Sequence, residues 1–406
     1  MAYAATRAES DRGGSLVRAR RYAPRVSLDP SLAPAQPPRG RPWAAKALKA
    51  LPAGPAAGVA RTVLRAVLLA FEAVERRAAW LLLRLGWPVR VHPFSGFGTG
   101  GWALLGGRVL VEAPPRVGDA RSSRWAVLRS NLLPFLSVEV PGARVRVTLG
   151  EREVMARADR EGYLQVRLED LHLPPGRHQV TLTPVRPAGK PALGVVHVPD
   201  PAADVAVVSD VDDTIVDSGI AHGLGATLRT MLLQEQSTRV PLTGAPELYR
   251  ALAQGTPGTV ERPFFYLSTS PWNLVGYLQG FLTRHRFPDG PLVLTDWGPG
   301  ADSLLRVSSR THKLSTLRQL AQALPHSRFV LIGDSGQQDP AIYADFCAEH
   351  PGRVLAVYIR RAGTAGDQRV EQAERLLDEA GVPFVLAEDT DAMLRHAVEL
   401  GLVAPS

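Results

Sequence analysis

The chain has 406 residues, more than one ordinary domain needs, and its 45% hydrophobic and 21% charged residues are typical of a soluble globular protein with a sizeable core. The single cysteine, Cys347, excludes an internal disulfide framework and suits a reducing compartment, where we expect a buried structural thiol in a helix. Residues 1–50 hold ten basic and three acidic side chains and so carry most of the net charge of +8, which leaves +1 for the remainder and argues against a folded nucleic-acid-binding surface.

Residues 1–50 are rich in Arg, Ala and Pro without apolar periodicity, which predicts a disordered basic tail. Such a tail either binds an anionic target or has no partner, and composition does not separate the two interpretations. No apolar stretch follows the first charges, so we expect no secretory signal and a cytoplasmic protein.

Residues 51–86 are predicted to contain an amphipathic helix, clearest from Gly58 to Gly86. Its uncharged runs are far shorter than the ~18 residues that a bilayer span requires, so we expect no transmembrane helix. Its arginines, together with Phe71 and Trp80, are compatible with contact with an anionic membrane and hence with peripheral association. Packing of this amphipathic helix on the protein itself is the preferred interpretation.

Residues 87–200 change to the two-residue period of strands, with Pro and Gly between the runs, which predicts a small all-β sandwich resembling transthyretin-like or immunoglobulin-like domains. Domains of this kind usually bind or brace and do not catalyse. The predicted strands are Val89–Val91, Arg108–Val111, Arg144–Thr148, Tyr163–Arg167 and Gln179–Thr183.

Residues 201–406 alternate strands with helices, which predicts an open α/β domain with a largely parallel, Rossmann-like sheet. Ligand sites in such sheets lie beyond the carboxyl ends of the strands, so polar residues at those ends are the candidates. The predicted strands are Val205–Ser209, Phe264–Ser268, Leu292–Thr295, Phe329–Ile332, Val354–Tyr358 and Phe384–Leu386.

The first of these strands ends in a pair of carboxylates, Asp210 and Asp212, with Thr214 close behind. Asp is a poor strand former and is costly to bury, so its repetition here needs a chemical reason. Phosphoryl transfer gives one, because one Asp can attack phosphorus while its neighbour passes a proton to the leaving oxygen. Alone, the pattern also fits a turn or a helix cap.

Three hydroxyl residues, Ser268, Thr269 and Ser270, follow the second strand. They are candidates for binding phosphate oxygens, and Pro271 is expected to start the next helix, whose first amides would favour an anion. One of these hydroxyls serving as the helix N-cap is the simpler interpretation, and the two roles are compatible.

Two further signals come later in the chain. Lys313 is one of only four lysines among 47 basic residues, which indicates a need for a compact positive charge. Asp334 and Asp339 follow a buried strand and Gly333, and hard carboxylate oxygens in such a position suit Mg²⁺. No His or Cys ligand spacing favours zinc instead.

Taken together, the four strand-end signals resemble the haloacid dehalogenase superfamily. Further motifs narrow the resemblance to the catalytic domain of actin-patch-protein-type phosphatidate phosphatases, relatives of the lipins, over about residues 90–390. These motifs are Ser209–Ile215, Ser268–Asn273, His312–Leu314, Gly333–Pro340 and Val357–Arg360.

The resemblance implies Mg²⁺ as cofactor and a role for each candidate residue. Asp210 would be the nucleophile and a metal ligand, and Asp212 the general acid and base within the same metal site. Lys313 would neutralise negative charge. Thr214 would support the loop, and it joins the substrate-binding set with Ser268, Thr269 and Ser270. Asp334 and Asp339 would complete the metal site, with Asp339 orienting Lys313 or the metal's waters.

Residues 216–262 and 287–309 are too short for the large cap domain that superfamily members acting on small molecules commonly carry. We therefore expect an open site and a phospholipid substrate, phosphatidate, presented at a membrane surface. A phosphoprotein or soluble phosphoester is the alternative substrate. A membrane-associated scaffold without enzymatic activity is the alternative of a different class.

Overall fold

The computed structural model describes residues 77–112, 138–159, 162–211, 214–215, 241–271, 274–295, 306–362 and 367–405. The predicted tail, residues 1–50, lies outside them, as does most of the predicted helix over residues 51–86. Residues 77–84 of that segment are helical. In the part of the chain that is described, no helix combines the length and apolarity needed to cross a bilayer.

Residues 89–198 form a nine-stranded sheet. Apolar and polar residues alternate in strands such as Arg144–Leu149 and Tyr163–Leu168, as the predicted period of two requires, whereas Ala103–Val111 is buried along almost its whole length. Its strand order is β1-β3-β2-β9-β8-β5-β6, with β4 and β7 pairing β3, and all pairs are antiparallel except β2 with β9. The strands are β1 (Val89–Pro93), β2 (Gly96–Gly98), β3 (Ala103–Val111), β4 (Val138–Glu139), β5 (Arg144–Leu149), β6 (Arg152–Arg157), β7 (Tyr163–Leu168), β8 (Gly176–Arg186) and β9 (Ala192–Val198).

Residues 205–399 carry a six-stranded sheet in the order β12-β11-β10-β13-β14-β15, in which every neighbouring pair is parallel. All six predicted strands are present. They are β10 (Val205–Asp210), β11 (Phe264–Pro271), β12 (Leu292–Thr295), β13 (Arg328–Asp334), β14 (Val354–Arg360) and β15 (Phe384–Ala387). The helices are α1 (Ala245–Gln254), α2 (Val275–Arg284), α3 (Arg306–Ala323), α4 (Asp339–Glu349), α5 (Asp367–Glu379) and α6 (Thr390–Glu399).

Helices cover both faces of the parallel sheet, which explains why β10 is apolar at every position from Val205 to Val208. Val205 and Val207 pack in one core with α1, α2 and α6. Ala206 and Val208 pack in a second core with α3, α4 and α5. The predicted α/β class with a parallel sheet is therefore confirmed. All carboxyl ends of the six strands lie at one edge.

The second core also takes in Phe97 and Leu104 from the nine-stranded sheet. The rings of Phe97 and Phe265 meet edge to face, with their centroids 6.0 Å apart. The side-chain amide of Gln279 on α2 donates a hydrogen bond of 2.8 Å to Ser95 Oγ. The two sheets therefore share apolar packing close to β11, one of the strands that carries site residues.

Candidate active site

Strand pairing brings the predicted site residues to one edge of the sheet. Asp210 is the last residue of β10 and pairs with Leu267, so Ser268 is the next residue along β11 at the same edge. On the other side of β10, Ser209 pairs with Ile332, two residues before Asp334. Asp210, Ser268 and Asp334 are each at most 1% exposed, so the sheet holds polar groups where water is scarce.

Lys313 connects two of the carboxylates from the third turn of α3. Its Nζ atom lies 2.6 Å from Oδ1 of Asp210 and 2.5 Å from Oδ1 of Asp339, and its side chain is 1% exposed. Burial alone lowers the pKa of Lys313, but the charges and hydrogen bonds of Asp210 and Asp339 raise it, and the net direction is upward. Lys313 is therefore a fixed cation.

Asp210, Asp334 and Asp339 form a cluster whose carboxylate oxygens lie within 4.8 Å of one another, and all three residues are buried. Lys313 supplies one positive charge against three carboxylates, so the cluster favours a further cation. Its donors are hard oxygens only, which is the ligand chemistry that Mg²⁺ prefers. The residues present therefore fit a divalent metal site.

The loop after β13 fixes the orientation of Asp334 through the backbone. Its Oδ1 atom accepts hydrogen bonds from the amides of Gly336 at 2.7 Å and Gln337 at 2.9 Å. The amide of Asp334 itself donates to Oδ2 of Asp339 at 3.3 Å. The two carboxylates are thus coupled to each other through one short segment of chain.

Gly333 is required by this close approach. A Cβ atom at position 333 would lie 2.6 Å from Oδ2 of Asp339, nearer than real Cβ contacts come. Gly333 therefore leaves room for the side chain of Asp339, the first residue of α4, whose carboxylate contacts Lys313.

Thr214 lies beside the predicted nucleophile. Its Oγ1 atom donates a hydrogen bond of 3.3 Å to Oδ2 of Asp210, while Lys313 contacts the other carboxylate oxygen. Asp210 is thus held at both oxygens. This contact gives Thr214 a positioning function in addition to the substrate-binding role predicted from the motif.

Two tyrosines near the site were not predicted. The hydroxyl groups of Tyr249 on α1 and Ser209 lie 2.7 Å apart, next to Asp210 in the chain. Tyr343 on α4 donates to the carbonyl of Ile332 at 2.8 Å. Burial raises the pKa of both tyrosines, so both remain neutral donors. Their helical spacing resembles that of ordinary core residues, and only tertiary contact distinguishes them.

Other expectations had different outcomes. Asp212 lies outside the described residues, and of Thr269 and Ser270 only their place in β11 is described. The expectation that Pro271 starts a helix is wrong. The strand continues to Pro271, which pairs with Thr295 after a register shift, and α2 begins at Val275. Proline is tolerated here because the register of β11 and β12 is irregular between Ser268 and Pro271, and such a position need not donate to the ladder.

Cys347 is buried in α4, as expected, and burial raises the pKa of its thiol to about 12. His312 precedes Lys313 in α3. Burial, and to a lesser extent the neighbouring Lys313, lowers the pKa of its imidazole to about 4. Both groups therefore remain neutral at pH 7.

Comparison with known proteins identifies one family over this part of the chain. Residues 205–361 match the family described as the catalytic domain of phosphatidate phosphatase APP1. The matched segment contains every predicted site residue, from Asp210 to Asp339.

The chain is 26% identical over 286 residues to phosphatidate phosphatase APP1 of Saccharomyces cerevisiae, covering 67% of this chain and 47% of that protein. It is 28% identical over 156 residues to an uncharacterised protein of Schizosaccharomyces pombe, covering 38% of this chain and 25% of that protein. The chain thus spans about half the length of the first relative and a quarter of the second.

Among solved structures, a carbohydrate acetylesterase from Xanthomonas citri aligns at 11% identity with a TM-score of 0.29, over 76% of this chain and 72% of that chain. Similarity at that level defines no shared fold. The resemblance to phosphatidate phosphatase catalytic domains that the motifs predicted is, in contrast, confirmed for residues 205–361.

Proposed function

We propose that the protein is a Mg²⁺-dependent phosphatidate phosphatase, which hydrolyses phosphatidate to diacylglycerol and phosphate. One observation supports this above the others: the buried contact of Lys313 with Asp210 and Asp339, beside Asp334, within the segment that matches the family. We also infer that residues 201–406 form a catalytic domain of the haloacid dehalogenase type, without a large cap.

The reaction begins with Asp210. One of its carboxylate oxygens attacks phosphorus, the bond from phosphorus to the glycerol oxygen breaks, and an aspartyl-phosphate forms. Asp212, two residues further along the chain, gives its proton to the leaving oxygen. It then takes a proton from water as that water attacks phosphorus and releases Asp210 and inorganic phosphate.

The charges of the site favour this reaction. An anionic nucleophile and an anionic phosphate repel each other, so the attack needs positive charge nearby. Lys313, buried 2.6 Å from Asp210, supplies part of it without losing a proton at neutral pH. Asp210, Asp334 and Asp339 would hold Mg²⁺, which would supply the remaining positive charge when bound. Asp212 belongs to the same proposed metal site.

Thr214 and Asp339 position the charged groups of the site, and three hydroxyl residues bind the phosphate. Thr214 holds the second carboxylate oxygen of Asp210, and Asp339 holds Lys313 in position. Ser268 follows the register partner of Asp210 on the neighbouring strand, at the height where the phosphoryl oxygens would lie. Thr269 and Ser270 complete the proposed phosphate-binding set at the end of β11.

The test is release of inorganic phosphate from phosphatidate in mixed micelles. Asp210→Asn should abolish release, and chelation of divalent metal should abolish it reversibly. Asp378→Asn, an identical change on the exposed face of α5, is the matched control and should leave activity unchanged. Full activity in Asp210→Asn would contradict the mechanism.

The same assay separates the alternative substrates. Turnover of phosphatidate that rises with its surface concentration in the micelle supports a lipid substrate. Turnover of a soluble phosphoester or phosphoprotein that exceeds it would overturn the lipid assignment while keeping the mechanism. Lack of phosphate release from every substrate would favour a scaffold.

A further inference from the structure

Three arginines lie side by side on the nine-stranded sheet. Arg144 of β5 pairs with Arg157 of β6 on one side. On the other side it pairs with Arg186 of β8, just beyond a register shift that leaves Val185 as an extra residue on β8. Residues directly opposite each other in antiparallel strands project to the same face, with Cβ atoms about 5 Å apart. All three residues are exposed. The pairing therefore places three exposed arginines next to one another across three strands, and we call them the arginine row.

Such an arrangement is unfavourable by itself, because like charges directly opposite each other destabilise a sheet. Among the described residues, no ion pair or side-chain hydrogen bond joins Arg144, Arg157 or Arg186 to a partner. Other arginines nearby are paired, Arg146 with Glu153 at 3.1 Å and Arg152 with Asp170 at 3.6 Å. The arginine row thus keeps a positive charge that no described carboxylate offsets, although other arginines on the same sheet pair with carboxylates.

Protection of a sheet edge does not explain the row. Charged side chains on an edge strand prevent pairing with other chains, and β6 lies at one end of the strand order. Arg144 and Arg186, however, belong to β5 and β8, which are paired on both sides. Two of the three positive charges therefore lie where no edge needs protection.

Apolar side chains accompany the row. Met155 is on the same face of β6 as Arg157, opposite Arg146, and is 53% exposed. Val185, next to Arg186, is 40% exposed. A mixture of arginines and exposed aliphatic groups suits the interface of a phospholipid bilayer, where cations contact phosphates and apolar groups enter the head-group layer. Single-stranded nucleic acid would favour aromatic stacking groups, whereas the exposed large hydrophobic residues described on this face are the aliphatic Met155, Val185 and Leu193.

We propose that this face of β5, β6 and β8 is a docking surface for an anionic phospholipid bilayer, with the arginine row as its electrostatic contact. The choice of a bilayer as the occupant rests on the proposed function, since an enzyme for phosphatidate must work at an anionic lipid surface. The assignment gives the nine-stranded sheet a role in bringing the catalytic domain to its substrate.

The test is sedimentation of the full chain with vesicles of phosphatidylcholine, with and without phosphatidylserine. Replacement of the row by glutamine, R144Q/R157Q/R186Q, should lower binding to the anionic vesicles by on the order of a hundredfold, since each arginine near such a surface contributes roughly fivefold. Replacement by lysine, R144K/R157K/R186K, keeps the charge and should retain most of the binding.

The matched control is R369Q/R375Q/R395Q, which removes the same charge from exposed positions of α5 and α6. It should bind as the unchanged chain does. The proposal would be overturned if the control lost as much vesicle binding as the row variant, or if the row variant bound anionic vesicles as strongly as the unchanged chain. Binding of a polyribonucleotide in place of vesicles, abolished by the row variant, would overturn it in favour of nucleic acid.

Phosphatidylserine is not the proposed substrate, so vesicle binding needs no catalysis. If the row variant binds anionic vesicles as the unchanged chain does, the docking proposal is wrong, but the proposed hydrolysis of phosphatidate in micelles is not affected. Conversely, vesicle binding that depends on the row would stand even if phosphatidate were not hydrolysed. Hydrolysis of a soluble phosphoester by the row variant at the unchanged rate serves as the check that its active site has folded.

Discussion

Lys313 and Asp210 form a buried ion pair, with Nζ 2.6 Å from Oδ1 and neither side chain more than 1% exposed. Such a pair is costly to desolvate, and on its own it is weak evidence for stability. Here the lysine contacts Asp339 as well, and one cation offsets part of the repulsion within a cluster of three carboxylates. Activity and folding should therefore depend on the same side chain.

The Lys313→Met variant should lose both activity and folding stability. Removal of one partner from a buried pair leaves charge without compensation, so we expect the free energy of unfolding to fall by about 3–5 kcal/mol. Phosphate release should fall by a factor of about 100 to 1000, as when one charge-stabilising donor is removed from an active site. Urea unfolding and steady-state kinetics measure the two effects.

Lys190→Met is the matched control, since Lys190 is exposed between β8 and β9. It should leave both quantities within the error of the measurement. A Lys313→Met protein with ordinary activity would show that the proposed offset of charge is not needed for the reaction.

Gly333→Ala should damage the site through a steric clash. The added Cβ would lie 2.6 Å from Oδ2 and 2.7 Å from Cβ of Asp339, and this side chain cannot move away without losing Lys313. We expect a loss of about 1–3 kcal/mol in the free energy of unfolding, as in other overpacked cores, and a larger proportional loss of activity. Chemical unfolding and phosphate release provide the measurements.

The matched control for this prediction is Gly280→Ala, inside α2, where an added Cβ meets nothing within 4 Å. Because alanine favours a helix over glycine by about 0.5–1 kcal/mol, this variant should be slightly more stable than the unchanged chain. Equal effects of the two alanines would mean that the approach of Asp339 to Gly333 is not constrained.

The sequence predicted the strand-end residues well because parallel strands bring their carboxyl ends to one edge, whatever the details of the packing. Apolar runs with polar endings therefore located Asp210, Ser268 and Asp334 before any contact was known. The contact of Lys313 with Asp210 and Asp339 is different in kind, because it depends on how α3 and α4 approach the sheet. Family resemblance implied that contact, whereas spacing along the chain did not.

The failures have physical reasons too. Proline is compatible with the first turn of a helix and with an irregular position in a strand, so the sequence around Pro271 does not fix where β11 ends. In the structure, Pro271 pairs with Thr295 after a register shift and so belongs to the strand. Tyr249 comes 40 residues after Ser209, and only the packing of α1 against β10 brings the two hydroxyls to 2.7 Å. No local sequence pattern around Ser209 indicates that Tyr249 is its hydrogen-bond partner.

Mg²⁺ should stabilise the folded protein, because a cation that binds only the native carboxylate cluster shifts the folding equilibrium by mass action. At a concentration 100 times its dissociation constant, the gain should be about 2.7 kcal/mol. Asp334→Asn should abolish that gain. Without Mg²⁺, the same variant should be no less stable than the unchanged chain, since asparagine removes a like charge and keeps an acceptor for Gly336 and Gln337.

Thermal or urea unfolding with and without Mg²⁺ measures both effects, with Asp378→Asn as the control for a surface carboxylate. The control should respond to Mg²⁺ as the unchanged chain does. A full Mg²⁺ response in Asp334→Asn would remove Asp334 from the proposed metal site.

His312 should make the protein less stable in weak acid. Its pKa of about 4 in the folded chain lies below the ordinary value of 6.5, because burial and then Lys313 disfavour the charged imidazolium. The unfolded chain therefore binds more protons than the folded chain between these two values. Stability contributed by the neutral ring is complete above pH 6.5 and is lost as the pH falls toward 4.

Between pH 7 and pH 5 the loss should be about 2 kcal/mol, measured as the difference in urea unfolding free energy. His312→Gln should reduce that difference by the same amount, because glutamine does not titrate. His326→Gln, at an exposed position just before β13, is the matched control and should keep the full pH dependence. An unchanged difference in His312→Gln would assign the acid sensitivity to the carboxylate cluster, since those groups are present in both variants.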